Sequence, residues 1–468
     1  MLLKAISLVS SVVIISFSTL LAVPPSYDIV YFDVPDELEP NPIPTPTGDL
    51  LALNGYPNDV NRLTLVGAAY TPDEQIFGYG PYPAIIILHG SGGMWSSDVI
   101  ANGPGSQFVD WAYELTDLGY LVLLPDSYNP RGIPGNYASR RPHHDPNIDD
   151  SLCSPNYERP KDVQAALEYL ATRNDVDTDR IGMLAFSHGA QTGLNAIMDP
   201  SVDKSPYTVS YINELDESED LVVDDPLEIP NDVPFPKVYA AYYPGCSHYG
   251  YHGQASSVAT NRYMPDRRCK VIMFHGTEDS LLGVTDPDAA LPLVGNLYPI
   301  KFVESSALQA ADEGIENPFV HHVIFDKSAH SFDNETIEPE QNWNTLDEDV
   351  NEKAKRLARV ETLKWFEAIL KDHTPTIATD TNDSTLLELS WHGTDGIEYQ
   401  CQEKSDLVNG NWSDVVMPTI GADDVMTEGV DPTQAAFKAY RLSYSPTDPP
   451  YTEPDDAAFL LEYSDFSY

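Results

Sequence analysis

Positive charge is what this chain has least of. Its 468 residues carry 26 lysines and arginines against 73 acidic residues, a formal net charge of −47. A chain that acidic repels nucleic acid and anionic membrane faces, so neither is expected as a partner. It suits a solvated surface in salty or extracellular surroundings. Cysteine is also scarce. There are four, Cys153, Cys246, Cys269 and Cys401, and no Cys-x-x-Cys occurs. That spacing excludes the common structural zinc sites, and no metal is expected. Long apolar runs are missing after residue 22, which leaves no segment to span a membrane once the leader is removed.

Residues 1–22 read as a secretory signal. Lys4 is a small positive n-region, residues 5–21 are a run of apolar and hydroxyl side chains, and Ala22 is a candidate cleavage site. An uncleaved anchor is the alternative. Export to a secreted or periplasmic location makes disulfides permissible.

After an extended, proline-rich and acidic N-terminal arm over residues 23–61, strand-like and helix-like segments alternate. Apolar strands are expected at 62–70, 84–88, 120–124, 181–185, 238–243, 269–274 and 319–325. Helices are expected at 108–118, 160–170 and 351–371, the first with Gly119 at its C-terminal cap. This rhythm predicts an α/β class fold with a mostly parallel central sheet flanked by helices. Two insertions, 199–236 and 281–317, interrupt it. The catalytic domain is placed at 62–373. A linker at 374–383 leads to short alternating runs over 384–468, read as a small C-terminal all-β, sandwich-like module. Its Trp391, Tyr399 and Trp412 would either pack a core or form a platform for a carbohydrate or cell-surface partner.

The chemistry gathers at the ends of the expected strands. Ala185-Phe-Ser187-His-Gly189 lies between a buried strand and a helix, the setting in which a serine is held exposed on a sharp turn. Such a nucleophile needs a base, an acid to orient the base, and donors for the developing oxyanion. Asp279 follows one later strand and His330 another, in the order Ser, acid, His. In a parallel sheet all three belong on the carboxyl edge. Glu278 is a rival acid next door. The glycine-rich His89-Gly-Ser91-Gly92-Gly93 follows an earlier strand and would offer the amide of Ser91 or Gly92, paired with that of His188, as the oxyanion hole. His89 reads as structural, and His143 and His144 as loop residues. Tyr128 and Arg131, after the 120–124 strand, either line a substrate pocket or belong to a turn fixed by Pro130 and Gly132.

The cysteines are constrained by the same layout. Cys246 follows its strand and Cys269 precedes its own, so they sit at opposite sheet edges, about a strand length of ~17–20 Å apart. A bridge spans only ~4.4–6.8 Å between Cα atoms. Cys153 is the better partner for Cys246, which leaves Cys269 and Cys401 to pair or remain free.

Over residues 62–372 the chain resembles the dienelactone hydrolase family of α/β-hydrolases. The residues that carry the likeness are Pro83-Ala-Ile-Ile-Ile-Leu-His-Gly-Ser-Gly-Gly93, Gly119-Tyr-Leu-Val-Leu-Leu-Pro-Asp-Ser-Tyr-Asn-Pro-Arg-Gly132, Arg159 with Asp162, Val176-Asp-Thr-Asp-Arg-Ile-Gly182 and His275-Gly-x-x-Asp279. The resemblance implies an α/β-hydrolase fold, hydrolysis of a carboxylic ester or lactone without metal or organic cofactor, and Ser187, Asp279 and His330 as the triad. This chain departs from the namesake enzymes in using serine rather than cysteine, and in its insertions, leader and C-terminal module. The expected substrate is therefore a small-molecule or polymer-linked ester outside the cell. Two competing readings are a serine peptidase of the prolyl-oligopeptidase type and a non-catalytic surface-binding protein built on a hydrolase scaffold.

Overall fold

The computed structural model describes residues 26–38, 43–133 except 58, 158–199, 227–245, 268–279, 320–334 and 348–371. It adds positions 153, 155 and 266, and the backbone of strands between 207 and 223 and between 376 and 462. The expected leader, the 281–317 insertion, Cys246, His143 and His144 lie outside the described residues.

In chain order the first half comprises β1 (Tyr27–Asp33), α1 (Gly48–Leu51), β2 (Thr64–Tyr70), α2 (Glu74–Phe77), β3 (Tyr82–Leu88), α3 (Ser106–Asp117), β4 (Leu121–Asp126), α4 (Arg159–Thr172), β5 (Val176–Phe186) and α5 (His188–Ala196). Next come β6 (Tyr207–Ile212), β7 (Ser218–Val223), β8 (Val238–Tyr242), β9 (Lys270–Gly276), β10 (Val320–Phe325) and α6 (Glu348–Leu370). The C-terminal strands are β11 (Thr376–Thr379), β12 (Leu387–His392), β13 (Ile397–Lys404), β14 (Ser413–Asp414), β15 (Thr419–Ile420), β16 (Val425–Val430), β17 (Ala439–Pro446) and β18 (Leu460–Glu462).

The central sheet runs β1-β2-β4-β3-β5-β8-β9-β10-β18. The six strands from β4 to β10 are mutually parallel, and β1, β2 and β18 are antiparallel to their neighbours. This is an α/β-hydrolase-like fold: eight strands drawn from residues 27–325, flanked by helices. Its core reads directly from β3. Successive side chains of a strand point to opposite faces. Ala84, Ile86 and Leu88 join Val163 and Leu167 of α4 and Leu194 of α5, while Ile85 and Ile87 join Trp111 and Leu115 of α3 and Phe366 of α6. Both faces of the sheet are therefore covered, and each of these aliphatic side chains contributes about 1.5–3 kcal/mol by leaving water. Continuous apolar strands are what that double burial demands.

The structure adds three features to these expectations. The N-terminal arm is not structureless throughout: β1 pairs residue for residue with β2 from Tyr27↔Tyr70 to Asp33↔Thr64. Its acids had disguised it, since an edge strand keeps one side in water. The 199–236 insertion contains a β6–β7 hairpin, from Tyr207↔Val223 to Ile212↔Ser218. The last C-terminal run does not stay with its neighbours: β18 pairs with β10 at the far edge of the hydrolase sheet. Between them the chain forms two antiparallel sheets, β11-β12-β16 and β14-β13-β15 with β17 beside β13, and β11 falls inside the expected linker.

Candidate active site

Ser187 stands between β5 and α5 with φ 50° and ψ −115°, a conformation costly for any residue bearing a Cβ. Its amide donates to the carbonyl of Tyr242 at 2.9 Å, and its own carbonyl accepts from the amide of Gln191 at 3.0 Å. The strained turn is possible because Gly189 has no side chain: a first carbon there would lie 2.4 Å from the carbonyl oxygen of His89 and 2.7 Å from that of Leu88. The start of α5 is thereby pressed against the end of β3.

The loops after β9 and β10 bring the partners. His330 Nε2 lies 3.0 Å from Ser187 Oγ, and His330 Nδ1 lies 2.7 Å from Asp279 Oδ2. Nδ1–H donates to the carboxylate, so Nε2 is free to accept the serine proton. Asp279 and His330 are buried, whereas Glu278 is exposed. The two loops are tied together by the Glu278 amide donating to the Ser328 carbonyl at 3.0 Å. Gly276 permits that approach, because a Cβ there would lie 2.0 Å from the same oxygen. From α6, Asn351 Oδ1 accepts from Ser328 Oγ and from the Ala329 amide, both at 3.1 Å, just ahead of His330.

The oxyanion candidates fall where the sequence placed them. Ser91 and Gly92 are in the partly exposed loop after β3, and His188 opens α5. Gly90 brings that loop close to the serine: a Cβ on it would lie 3.5 Å from Ser187 Cβ. His89 is structural, as expected. Its Nε2 accepts from the Ser127 amide at 3.2 Å, and burial together with the Arg159 cation pushes its pKa well below the ordinary value.

Tyr128 and Arg131 are both buried among the described residues. Arg131 is buried in a two-pronged pair with Asp162, at 2.6 and 2.9 Å, and donates to the Ser127 carbonyl at 2.9 Å. Tyr128 is buried edge-on against His89, with its ring centroid 4.6 Å away. Both serve the turn, the second of the two readings. Asp126 anchors it by accepting from Trp95 Nε1 at 2.6 Å, Asn129 Nδ2 at 2.7 Å and the Tyr128 amide at 2.8 Å. Cys153 is buried beside Tyr128 and Ile133, while its proposed partner Cys246 lies outside the described residues. Cys269 is a free, buried thiol at the start of β9, the second of its two alternatives.

Sequence reasoning missed the packing behind His330. The Tyr243 ring lies 4.6 Å from the imidazole, centroid to centroid, at φ 39°. Its hydroxyl donates to Asp333 Oδ1 at 2.6 Å, and Gln107 Nε2 donates to Asp333 Oδ2 at 2.9 Å. Burial pushes the Asp333 carboxyl above the usual range. The signal was present, since Tyr243 ends a strand expectation and Asp333 is three residues beyond His330. A buried histidine pair was missed too. His275 Nε2–H donates to the Pro244 carbonyl at 3.0 Å, so its Nδ1 must accept from His322 Nε2–H at 2.9 Å. Among the described residues, no group of three or more His, Cys, Asp or Glu is placed to hold a metal.

With this geometry in view, the chain was compared with known proteins. Residues 65–219 match the dienelactone hydrolase family. The match takes in Ser187 and stops ahead of Asp279 and His330. No curated protein matches the chain. Solved structures similar to the chain include a dienelactone hydrolase-like promiscuous phosphotriesterase from metagenomic libraries. It is 13% identical with a TM-score of 0.39, over 74% of this chain and 100% of that one. A thermophilic esterase from Thermogutta terrifontis is 16% identical with a TM-score of 0.36, over 64% and 89%. Dipeptidyl peptidase 4 from Porphyromonas gingivalis is 12% identical with a TM-score of 0.36, over 66% and 33%. These overlaps are loose, and the fold assignment rests on the strand order and the family match. No helix among the described residues is long and apolar enough to cross a membrane.

Proposed function

We propose that the protein is an exported serine esterase in which Ser187, His330 and Asp279 form a catalytic triad. One observation carries this reading: an unbroken hydrogen-bonded line from Ser187 Oγ through His330 to Asp279, at 3.0 and 2.7 Å, ending on a strained strand-to-helix turn. His330 Nε2 takes the Ser187 proton as Oγ bonds to the ester carbonyl carbon, and the carbonyl oxygen becomes an oxyanion. The amides of His188 and of Ser91 or Gly92 receive that charge. Collapse breaks the ester bond, and the leaving alkoxide takes the proton from His330. Water then gives its proton to His330 and attacks the acyl-serine, which releases the carboxylic acid and returns the proton to Oγ. Asp279 holds the imidazole tautomer throughout.

The substrate proposed is a small or polymer-linked ester outside the cell, consistent with the N-terminal leader and the acidic chain. The C-terminal strands are proposed to form a sandwich-like module for a carbohydrate or cell-surface partner. The test is intact-mass analysis after incubation with a fluorophosphonate, alongside turnover of an activated ester and a peptide anilide. A single adduct on wild type, absent from Ser187→Ala, with ester turnover exceeding anilide turnover, is expected. No adduct on folded wild-type protein would overturn the triad.

A further inference from the structure

Arg159 is 1% exposed, at the start of α4. Three groups from three separate segments accept its hydrogen bonds. Nη1 meets His188 Nδ1 at 2.6 Å, Nη2 meets the His89 carbonyl at 2.8 Å, and Nε meets Ser127 Oγ at 3.1 Å. All three acceptors are neutral. Among the described residues no carboxylate pairs with Arg159, and the nearby Asp162 is committed to Arg131.

The arrangement has two chemical consequences. A guanidinium has donors only. His188 Nδ1 must therefore be an acceptor, which keeps that ring neutral with its proton on Nε2. Second, a buried cation that no carboxylate among the described residues pairs is costly unless something nearby uses the charge. What lies nearby is the oxyanion hole. His188 supplies one of its amides, and His89 is the residue from which the Gly90–Gly93 loop, supplying the other, departs. The Arg159 fork joins these two donor-bearing segments through its bonds to the His89 carbonyl and His188 Nδ1.

The geometry points to Arg159 as the positioning residue of the oxyanion hole: one buried guanidinium that locks the His89 loop to the His188 turn and biases the site toward negative charge. It touches no reacting atom and acts through backbone amides. This rests on the esterase reading above.

The experiment compares wild type, R159M, R159K and S127A for kcat and KM on an activated ester, and for affinity toward a trifluoromethyl ketone that forms an anionic adduct with serine. Fluorophosphonate labelling and urea unfolding are run in parallel. Losing a well-placed oxyanion donor typically costs about 10²–10³ in rate, so R159M is expected to lose about 10²-fold in kcat. KM should stay within about threefold, and the ketone affinity should fall in step with kcat/KM. R159K keeps the charge but not the planar fork, and is expected to recover about tenfold of that loss. A residue that only stabilised the fold would shift the urea midpoint without separating kcat from KM.

Wild-type kcat in folded R159M, or a loss confined to KM, overturns the inference while labelling of wild type leaves the esterase reading standing. Wild type that takes no label overturns both. Should R159M fail to fold, R159K and S127A decide: reduced kcat at unchanged KM supports the inference, and wild-type kcat in both overturns it.

Discussion

The two flanks of Ser187 are built from different materials. On the oxyanion side the loops after β3 and β4 are held by charge and directional hydrogen bonds: Asp126 with Trp95 and Asn129, Arg131 with Asp162, and Arg159 with His89, Ser127 and His188. On the histidine side the loops after β9 and β10 are packed mainly by rings: Tyr243 lies on His330 and Phe332, and Phe332 lies on Phe325. In the proposed mechanism the oxyanion flank presents backbone amides at fixed points, which calls for directional polar links. In the same proposed mechanism the other flank lets the His330 imidazole gain and lose a proton. Rings confine it, with Asp279 bonded to the imidazole itself and Asp333 bonded to Tyr243 behind it.

The sharpest way to break this contrast is at the carboxylate that meets His330. Asp279→Asn should lower kcat on an activated ester by about 10⁴-fold, because the wrong imidazole tautomer would face Ser187. A loss below tenfold would mean that Asp279 does not orient His330. The oxyanion flank should fail differently, through stability. Asp162→Ala leaves the Arg131 guanidinium buried without its carboxylate, which costs about 3–5 kcal/mol, read as a fall in the urea midpoint. An unchanged midpoint would show that the pair contributes nothing to the loop.

Acid should act on the buried histidines. Burial pulls the His275 pKa from 6.5 to about 4 and pushes His322 well below its ordinary value. The unfolded chain takes up these protons near pH 6.5 and the folded chain only at lower pH. Their contribution is thus full above pH 6.5 and lost as pH falls from there through about 4. The slope is about 1.4 kcal/mol per pH unit for each histidine. Urea unfolding between pH 7 and pH 4.5 measures it, and His322→Gln should remove about one proton's share of the slope. The smallest effect is expected at Tyr243→Phe. It keeps the ring on His330 and loses one hydrogen bond to buried Asp333, about 1–2 kcal/mol of stability with a severalfold drop in kcat. Full retention of both would reduce Tyr243 to a packing role.

Much of this was legible in the chain because it is local. The apolar run of β3, the small residues around Ser187, and the placement of Asp279 and His330 just beyond strands are patterns of a few residues each. A parallel sheet then puts such strand ends on one edge. β1 was not legible, because its Tyr, Ile, Val and Phe side chains are mostly half-buried and split between two faces, with Asp28 and Asp33 among them. Nor was the role of Arg131. An arginine on a strand-end loop reads the same in sequence whether it faces substrate or a buried Asp162.

By itself, then, the sequence determined the order of strands and helices, the nucleophile turn and the three candidate positions of the triad. Each depends on hydrophobic period or turn chemistry within one segment. Only the tertiary structure decided that Asp279 rather than Glu278 meets His330, that β18 closes the edge beside β10, and that Arg159 reaches His89, Ser127 and His188 at once. These are distances between loop ends far apart in the chain. They are set by how neighbouring strands and helices pack, which no local pattern encodes.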